Sequence, residues 1–300
     1  MPGESMPIPN SQFETWSHQG SITQSSNTYK TLKNVLQSID APYANKNYSV
    51  FLQGSYGNDT NIYSESDIDI VIKLQSTFQH DLSDMPDDEQ KAFKSSHSDA
   101  TYTNKNFASD VLKVLTDNYG SNVNQGKKAI TIENSASRRK ADVIATIQYR
   151  RYHSFKSINN QSYTEGICFY TSTGEQIVNY PKQHSENLTI KHQRTGNFKH
   201  MVRIFKNLRS RLVQDGILQD GIAPSYYLEG LLYNVPDDQF VNSYDDTFFN
   251  AINWIQNADR SNFVCANEQY YLLRENSPVT WRSNQCDAFI EAAIELWNQW

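Results

Sequence analysis

Between Tyr48 and Leu74 the chain carries two strand-like runs on either side of a glycine turn, and the second opens with two alternating carboxylates, Asp67-Ile68-Asp69-Ile70. Side chains of a strand alternate between faces, so Asp67 and Asp69 share one face while Ile68 and Ile70 take the other. Such a segment fits a half-buried strand with its isoleucines in a core and its aspartates on a polar surface. The first run, Tyr48-Ser49-Val50-Phe51-Leu52-Gln53, leads into Gly54-Ser55-Tyr56, where glycine permits a tight turn and lets backbone amides approach an anion. Two carboxylates held this close repel one another. A divalent cation relieves that repulsion, and oxygen-only ligands suit magnesium or manganese. Together the two runs read as a site for metal-dependent nucleotidyl transfer.

A third acid strengthens this reading. Asp142 lies inside the apolar run Ala141-Asp142-Val143-Ile144-Ala145-Thr146-Ile147, where aspartate is disfavoured and costly to desolvate alone. It therefore needs a partner: a metal shared with Asp67 and Asp69, or an ion pair with Arg138 or Arg139. A short strand is expected over Ala129–Glu133. Tyr29, Leu32, Val35, Leu36 and Ile39 recur at helical spacing over 28–39, and Phe107, Val111, Val114 and Leu115 mark a second helix with Gly120 where a C-terminal cap belongs. The acidic run from Asp84 to Glu89 reads as a solvated loop and helix start.

From about residue 195 the pattern turns helical. Phe198, Val202, Phe205 and Leu212 mark an apolar side of one helix, and Lys199, Arg203, Lys206 and Ser210 fall on another side as a basic stripe that suits a phosphate site or a solvated face. The C-terminal half is mainly α.

Three hundred residues with 38% hydrophobic content bury a substantial core and suit two lobes. A net charge of -6 argues against a general duplex-binding protein, although a nucleotide substrate needs only local positive charge. Cys168, Cys265 and Cys286 are dispersed, so neither a disulfide framework nor a structural zinc site is indicated, and they are expected to be buried hydrophobes in a reducing compartment. No apolar run reaches bilayer length and the N-terminus lacks signal-peptide character, which predicts a cytoplasmic protein with no membrane partner. Met1 to Asn10 is expected to be a poorly ordered tail.

The order Gly54-Ser55, Asp67-x-Asp69 and Asp142 resembles the polymerase-beta-like nucleotidyltransferase superfamily. Phe205-Lys206-Asn207-Leu208-Arg209, Pro224-Ser225-Tyr226-Tyr227-Leu228-Glu229, Asn234-Val235-Pro236 and the segment Ile177–Asn187 are similar to the bacterial branch related to cyclic GMP-AMP synthase, the DncV-like synthases of anti-phage second messengers. The resemblance covers roughly residues 28 to 298. It implies a two-lobed α+β fold, with a mixed β-sheet lobe and flanking helices over 28–180, a helical lobe over 181–300, residues 1–27 as a tail or the start of a spine, and the active site in the cleft.

The implied activity is condensation of ribonucleoside triphosphates into a cyclic di- or trinucleotide with release of pyrophosphate, with a downstream effector that reads the product and a regulatory protein as further implied partners. Asp67, Asp69 and Asp142 would hold two Mg2+ or Mn2+ ions and carry catalysis. Gly54, Ser55, Lys206 and Ser225 would grip the triphosphate, and Tyr226 would stack on a base. Gln53, Tyr56, His184, Asn187, Lys191 and Arg203 are further pocket candidates. No zinc insertion or strongly basic surface is present, so activation by double-stranded DNA is not expected. A template-independent transferase making linear RNA or oligoadenylate, and a catalytically silent nucleotide-binding or partner-binding module, are the competing readings.

Overall fold

The computed structural model describes residues 8–20, 22–64, 67–277 and 279–300. Its contacts divide into two compact units, one of Ile22–Gln53 with Asp67–Pro181, the other of Met1–Ser21, Gly54–Ser66 and Lys182–Trp300. The glycine turn thus packs with the C-terminal helices although it follows directly on the first strand. A single division near residue 180 does not anticipate this, because sequence proximity says nothing about which core a connecting segment joins.

The first unit is built on a seven-stranded mixed sheet. Its strands are β1 (Tyr48–Gln53), β2 (Ile68–Asp81), β3 (Val123–Gln125), β4 (Ile130–Ile132), β5 (Ala141–Ser157), β6 (Asn160–Tyr170) and β7 (Gln176–Asn179), in the order β1-β2-β5-β4-β3, with β6 joined to β5 and β7 to β6. Only β2 and β5 run parallel; every other pairing is antiparallel. Along β2 the alternation works as the sequence requires: Ile68, Ile70, Ile72 and Leu74 are all fully buried on one face. On the other face exposure declines from exposed Asp67, just before the strand, through half-buried Asp69 to buried Val71 and Lys73.

Helices α2 (Thr23–Leu36) and α5 (Asn104–Tyr119) pack on this sheet. Leu32 and Leu36 from one and Phe107, Val111, Val114 and Leu115 from the other are buried, as their spacing predicts. The helix α5 is held at its start by a Thr103–Asn106 capping box and stopped at Gly120, whose φ of 55° only glycine adopts without strain. Ile39 departs from expectation. The helix α2 closes at Leu36, where the amides of Gln37 and Ser38 donate to Lys33 O and Val35 O, and Ile39 is left 89% exposed. The acidic run leads into α4 (Asp87–Ser96), whose Phe93 packs with Tyr152 and Phe155.

The second unit holds α1 (Asn10–Ser17), the single turn α3 (Gly54–Gly57), α6 (Pro181–Thr195), α7 (Phe198–Gln214), α8 (Ser225–Asn234), α9 (Tyr244–Asn257) and α10 (Ser283–Gln299). Phe13, Phe198, Phe205, Phe248, Trp281 and Phe289 fill its core. The N-terminal tail expectation needs correction in part. Residues 1–7 lie outside the described residues, as does Ser66 beside Asp67, but Ile8 is buried and Phe13 of α1 packs on the rings of Phe248 and Trp297. Burying a phenylalanine contributes about 1.5–3 kcal/mol, enough to fix a short helix that propensity alone would not. Among the described residues no helix is long and apolar enough to cross a membrane.

Candidate active site

In the sheet unit, strand register brings four polar side chains into one row. Asp69 is the partner of Gln53 across β1–β2 and of Asp142 across β2–β5, and Asp142 is in turn the partner of Thr131 across β5–β4. Register partners project from the same face. The row is therefore Gln53, Asp69, Asp142, Thr131, all half-buried. The Thr131 hydroxyl donates to Asp142 Oδ1 at 2.6 Å, and Gln53 Oε1 is buried with no hydrogen-bond partner among the described residues. Asp142 thus has a threonine partner on the neighbouring strand. Arg138 is turned instead to the Glu133 carbonyl at 2.9 Å.

Asp67 stands apart from this row. It is exposed, and the Lys140 ammonium donates to its Oδ2 at 2.9 Å, a bond that raises the lysine's pKa. Among the described residues no group of three or more His, Cys, Asp or Glu side chains is gathered to hold a metal ion. The carboxylates of Asp69 and Asp142 are partners in register, while Asp67 has the Lys140 ammonium as a counter-charge. The donor set still fits a hard divalent cation. Two adjacent carboxylates and an unpartnered amide oxygen one strand away offer oxygen ligands only, and Asp67 immediately precedes β2, two residues before Asp69.

In the helical unit the segment after Gly54 is fixed from several sides. Gly54 has φ 63°, the Asn58 amide donates to Gly54 O at 3.0 Å and the Thr60 amide to Ser55 O at 2.9 Å. Tyr56 lies half-buried in this turn. The basic stripe of α7 is spent on the same segment. Lys199 pairs with Asp59 at 3.1 Å, Arg203 donates to the carbonyls of Asp59 and Ser17, Lys206 donates to Thr60 O at 3.1 Å, and Ser210 lies 3.5 Å from Ser64. Lys199, Arg203 and Lys206 are 7%, 6% and 0% exposed, so this side of α7 is neither a solvated face nor an open phosphate surface.

Glu229, one turn along α8 from Ser225, is the centre of this arrangement. Its Oε1 accepts from the Thr60 hydroxyl and lies 3.4 Å from Lys206 Nζ, and its Oε2 accepts from Asn58 Nδ2 at 3.2 Å and His184 Nε2 at 2.7 Å. Burial pushes this carboxyl's pKa upward, but the Lys206 ammonium, the His184 contact and the Thr60 hydroxyl outweigh it and hold the group at about 2. An ionised carboxylate only accepts, so the contact proton sits on His184 Nε2. The Lys206 ammonium, 3.4 Å from Oε1, balances the carboxylate's charge, which is what makes two charges tolerable at such burial.

The remaining candidates are placed as follows. Ser225 Oγ accepts from Arg209 at 3.1 Å. The Tyr226 ring stacks on His184 with centroids 4.8 Å apart, its hydroxyl accepts from Asn267, and burial raises its pKa. One ring face of Tyr226 is thus already covered. Three further pocket candidates have interior partners. Asn187 donates to Ala266 O at 2.8 Å, Lys191 donates to Val235 O and Asp237 beneath the rings of Tyr233 and Phe240, and Arg203 is spent on backbone carbonyls as described. Each is a polar side chain that an interior carbonyl needs, and helical spacing alone does not distinguish that from a wet pocket. Tyr227 is a packing residue, stacked on Trp281, and all three cysteines are free and buried.

Sequence reading missed Thr131, Asn58, Thr60 and Glu229. Thr131 sat in a strand expected over 129–133, and only register shows that it faces Asp142. Glu229 was visible at the end of the Pro-Ser-Tyr motif; an acid followed by Gly-Leu-Leu in a helix is a signal of a buried charge awaiting a partner.

A family model described as the cGAS/DncV-like nucleotidyltransferase C-terminal helical domain matches residues 186–298. The cyclic UMP-AMP synthase of Rhodothermus marinus is 41% identical over 298 residues, covering 98% of this chain and 99% of that protein. The cyclic nucleotide synthase CdnE01 of Staphylococcus haemolyticus is 36% identical over 303 residues, covering 98% and 100%. The solved structure of the Rhodothermus marinus c-UMP-AMP synthase with Apcpp and Upnpp superposes with a TM-score of 0.88 at 40% identity, covering 98% of each chain. The carboxylate row on a mixed sheet, the matched helical domain and similarity along nearly the whole length agree, and the chain belongs to the cGAS/DncV-like nucleotidyltransferases.

Proposed function

We propose that this protein joins one uridine and one adenosine triphosphate into a cyclic dinucleotide, releasing pyrophosphate at each of two transfers, as a messenger for a downstream effector. The observation that carries the reaction type is the in-register pair Asp69 and Asp142. The choice of bases rests on the 41% identity to a cyclic UMP-AMP synthase.

Phosphoryl transfer depends on positioning and on neutralising charge, with little covalent work for protein groups. Asp69 and Asp142, joined by Asp67 when it leaves Lys140, would hold two magnesium or manganese ions, which supply charge neutralisation and acidify the attacking sugar hydroxyl. Asp142 also serves as the proton acceptor, with Thr131 fixing its rotation through Oδ1. Gly54 and Ser55 hold the triphosphate through backbone amides and the serine hydroxyl, and Ser225 assists from α8. Tyr226, with one face on His184, offers the other to a base; such stacking contributes about 1–3 kcal/mol.

Incubating the protein with the four ribonucleotides and Mg2+ or Mn2+, followed by mass spectrometry and nuclease mapping, tests the reading. The expected product is phosphatase-resistant, contains uracil and adenine, and is lost in Asp142→Asn. Linear products alone, or extension of a supplied RNA primer, would count against cyclisation, and a product of other composition would count against the base assignment.

A further inference from the structure

We propose that Lys140 is a tethered counter-cation that competes with the divalent cation for Asp67, so that this lysine sets how much metal the site needs. The inference rests on the reading of Asp67, Asp69 and Asp142 as metal ligands. Placement supports it first. Asp67 immediately precedes β2 and Lys140 immediately precedes β5, and the parallel register that follows pairs Ile68 with Ala141 and Asp69 with Asp142. The Ile68 amide donates to Lys140 O at 3.1 Å, which pins Lys140 beside the start of β2. Continuing the alternation by one residue puts Asp67 and Lys140 on the face that carries Asp69 and Asp142. Three carboxylates and one ammonium thus share a corner of the sheet.

Contact is the second support. The Lys140 ammonium donates to Asp67 Oδ2 at 2.9 Å, and the carboxylates of Asp142 and Glu133 act on the same charge. Arg138, in the same basic turn, is engaged elsewhere: its guanidinium donates to Glu133 O and lies 4.5 Å from the centre of the Tyr119 ring.

The third support is that the pair is easily exchanged. The side chains of Lys140 and Asp67 are 40% and 46% exposed, and an ion pair so open to water is weak. Lysine is a hydrated point charge on a flexible four-carbon stem, so the ammonium can swing off Asp67 while its backbone stays hydrogen-bonded to β2. The exchange replaces one cation by another on a carboxylate and moves no proton. Once displaced, the ammonium remains tethered next to the ion that displaced it, and like charges repel. Lys140 therefore acts with opposite signs in two situations. Before a divalent cation binds it offsets part of the repulsion among the carboxylates; afterwards it opposes the bound ion.

Those signs give the test. Mn2+ is titrated into the full-length protein without nucleotide, and bound metal is read from the loss of the free-ion paramagnetic resonance signal. Lys140→Met should bind Mn2+ about threefold to tenfold more tightly than wild type, while its Tm without divalent cation falls. Lys140→Arg keeps the charge and matches a carboxylate bidentately, so it should bind Mn2+ no more tightly than wild type. The Mg2+ concentration for half-maximal rate should fall in Lys140→Met by a factor similar to the gain in Mn2+ affinity, with kcat at saturating Mg2+ within about threefold.

A lysine with only a structural role would lower Tm and leave Mn2+ affinity unmoved, and one that helps to hold the metal would weaken binding when removed. Either result overturns the proposal, as does equal tightening in Lys140→Met and Lys140→Arg. Asp142→Asn separates this from the underlying reading. If it loses Mn2+ affinity while Lys140→Met matches wild type, only the competition is refuted. If Asp142→Asn binds Mn2+ as wild type does, or if neither wild type nor Lys140→Met binds it at millimolar concentration, the carboxylates are not the metal site and both fall.

Discussion

Asp69 and Asp142 are direct partners in the parallel register of β2 and β5, so two like charges occupy neighbouring positions on one face of the sheet. Two like charges at neighbouring positions repel, and a bound divalent cation would relieve that repulsion. Asp142→Asn keeps the acceptor for the Thr131 hydroxyl and removes one charge. Without divalent cation its Tm should exceed wild type by about 1–3 °C. Added Mg2+ should raise the wild-type Tm and leave the variant's nearly unchanged, while product formation falls by about a thousandfold or more. A variant that loses stability, or retains more than a tenth of activity, contradicts the shared-cation reading.

Thr131 holds Asp142 Oδ1 at 2.6 Å from the adjacent strand. Removing a partner that orients a ligating carboxylate typically costs 10- to 100-fold in activity or metal affinity. Thr131→Val should therefore lower kcat by about tenfold and raise the Mg2+ concentration needed for half-maximal rate, with Thr131→Ser close to wild type. If Thr131→Val leaves the Mg2+ dependence unmoved, the hydroxyl does not tune that carboxylate.

What the sequence disclosed and what it hid divide along a physical line. Period-two alternation disclosed the faces of Ile68 and Asp69, and period 3.6 disclosed that Phe198, Val202, Phe205 and Leu212 share a side; all four are fully buried. Periodicity reports which residues lie together, and it is silent on whether their face is wet. That is why the α7 stripe of Lys199, Arg203 and Lys206 read as an open basic surface when it is packed against residues 59 and 60. Pairings between distant segments are hidden for a related reason. Thr131 with Asp142, Asp67 with Lys140 and Glu229 with Asn58 each depend on strand order or helix packing, and no local pattern encodes those.

His200 on α7 is a half-buried imidazole whose pKa is lowered to about 4 from 6.5, first by burial and then by the charges of Arg203, His192 and His18. Below pH 6.5 the unfolded chain takes up a proton that the folded one refuses until about pH 4. This group's contribution is fully present above pH 6.5 and is lost as pH falls through that window. His200→Gln should remove about 3–6 °C of the wild-type fall in Tm between those limits. The Glu229 contribution is lost lower, between 4.5 and about 2, so the two separate in a Tm profile against pH. Parallel profiles for wild type and His200→Gln would refute the assignment.

Lys191 offers the sharpest test of interior against pocket. Its ammonium is 3% exposed, donates to Val235 O at 2.6 Å and Asp237 at 2.9 Å, and lies 5.2 Å from the Phe240 ring centre; burial lowers its pKa while Asp237 pulls it back. Methionine matches the apolar stem and cannot donate. Asp237 retains Arg194 at 2.7 Å, so the uncompensated loss falls on the Val235 carbonyl, at the end of the helix that carries Ser225 and Glu229. Leaving a buried acceptor unpaired costs about 1–3 kcal/mol, so Lys191→Met should lower Tm by about 3–8 °C. Because this lysine reaches a carbonyl and a carboxylate of its own unit, KM for the triphosphates should stay within about twofold of wild type. A raised KM at an unchanged Tm would instead make Lys191 a nucleotide contact, as its place in the sequence first suggested.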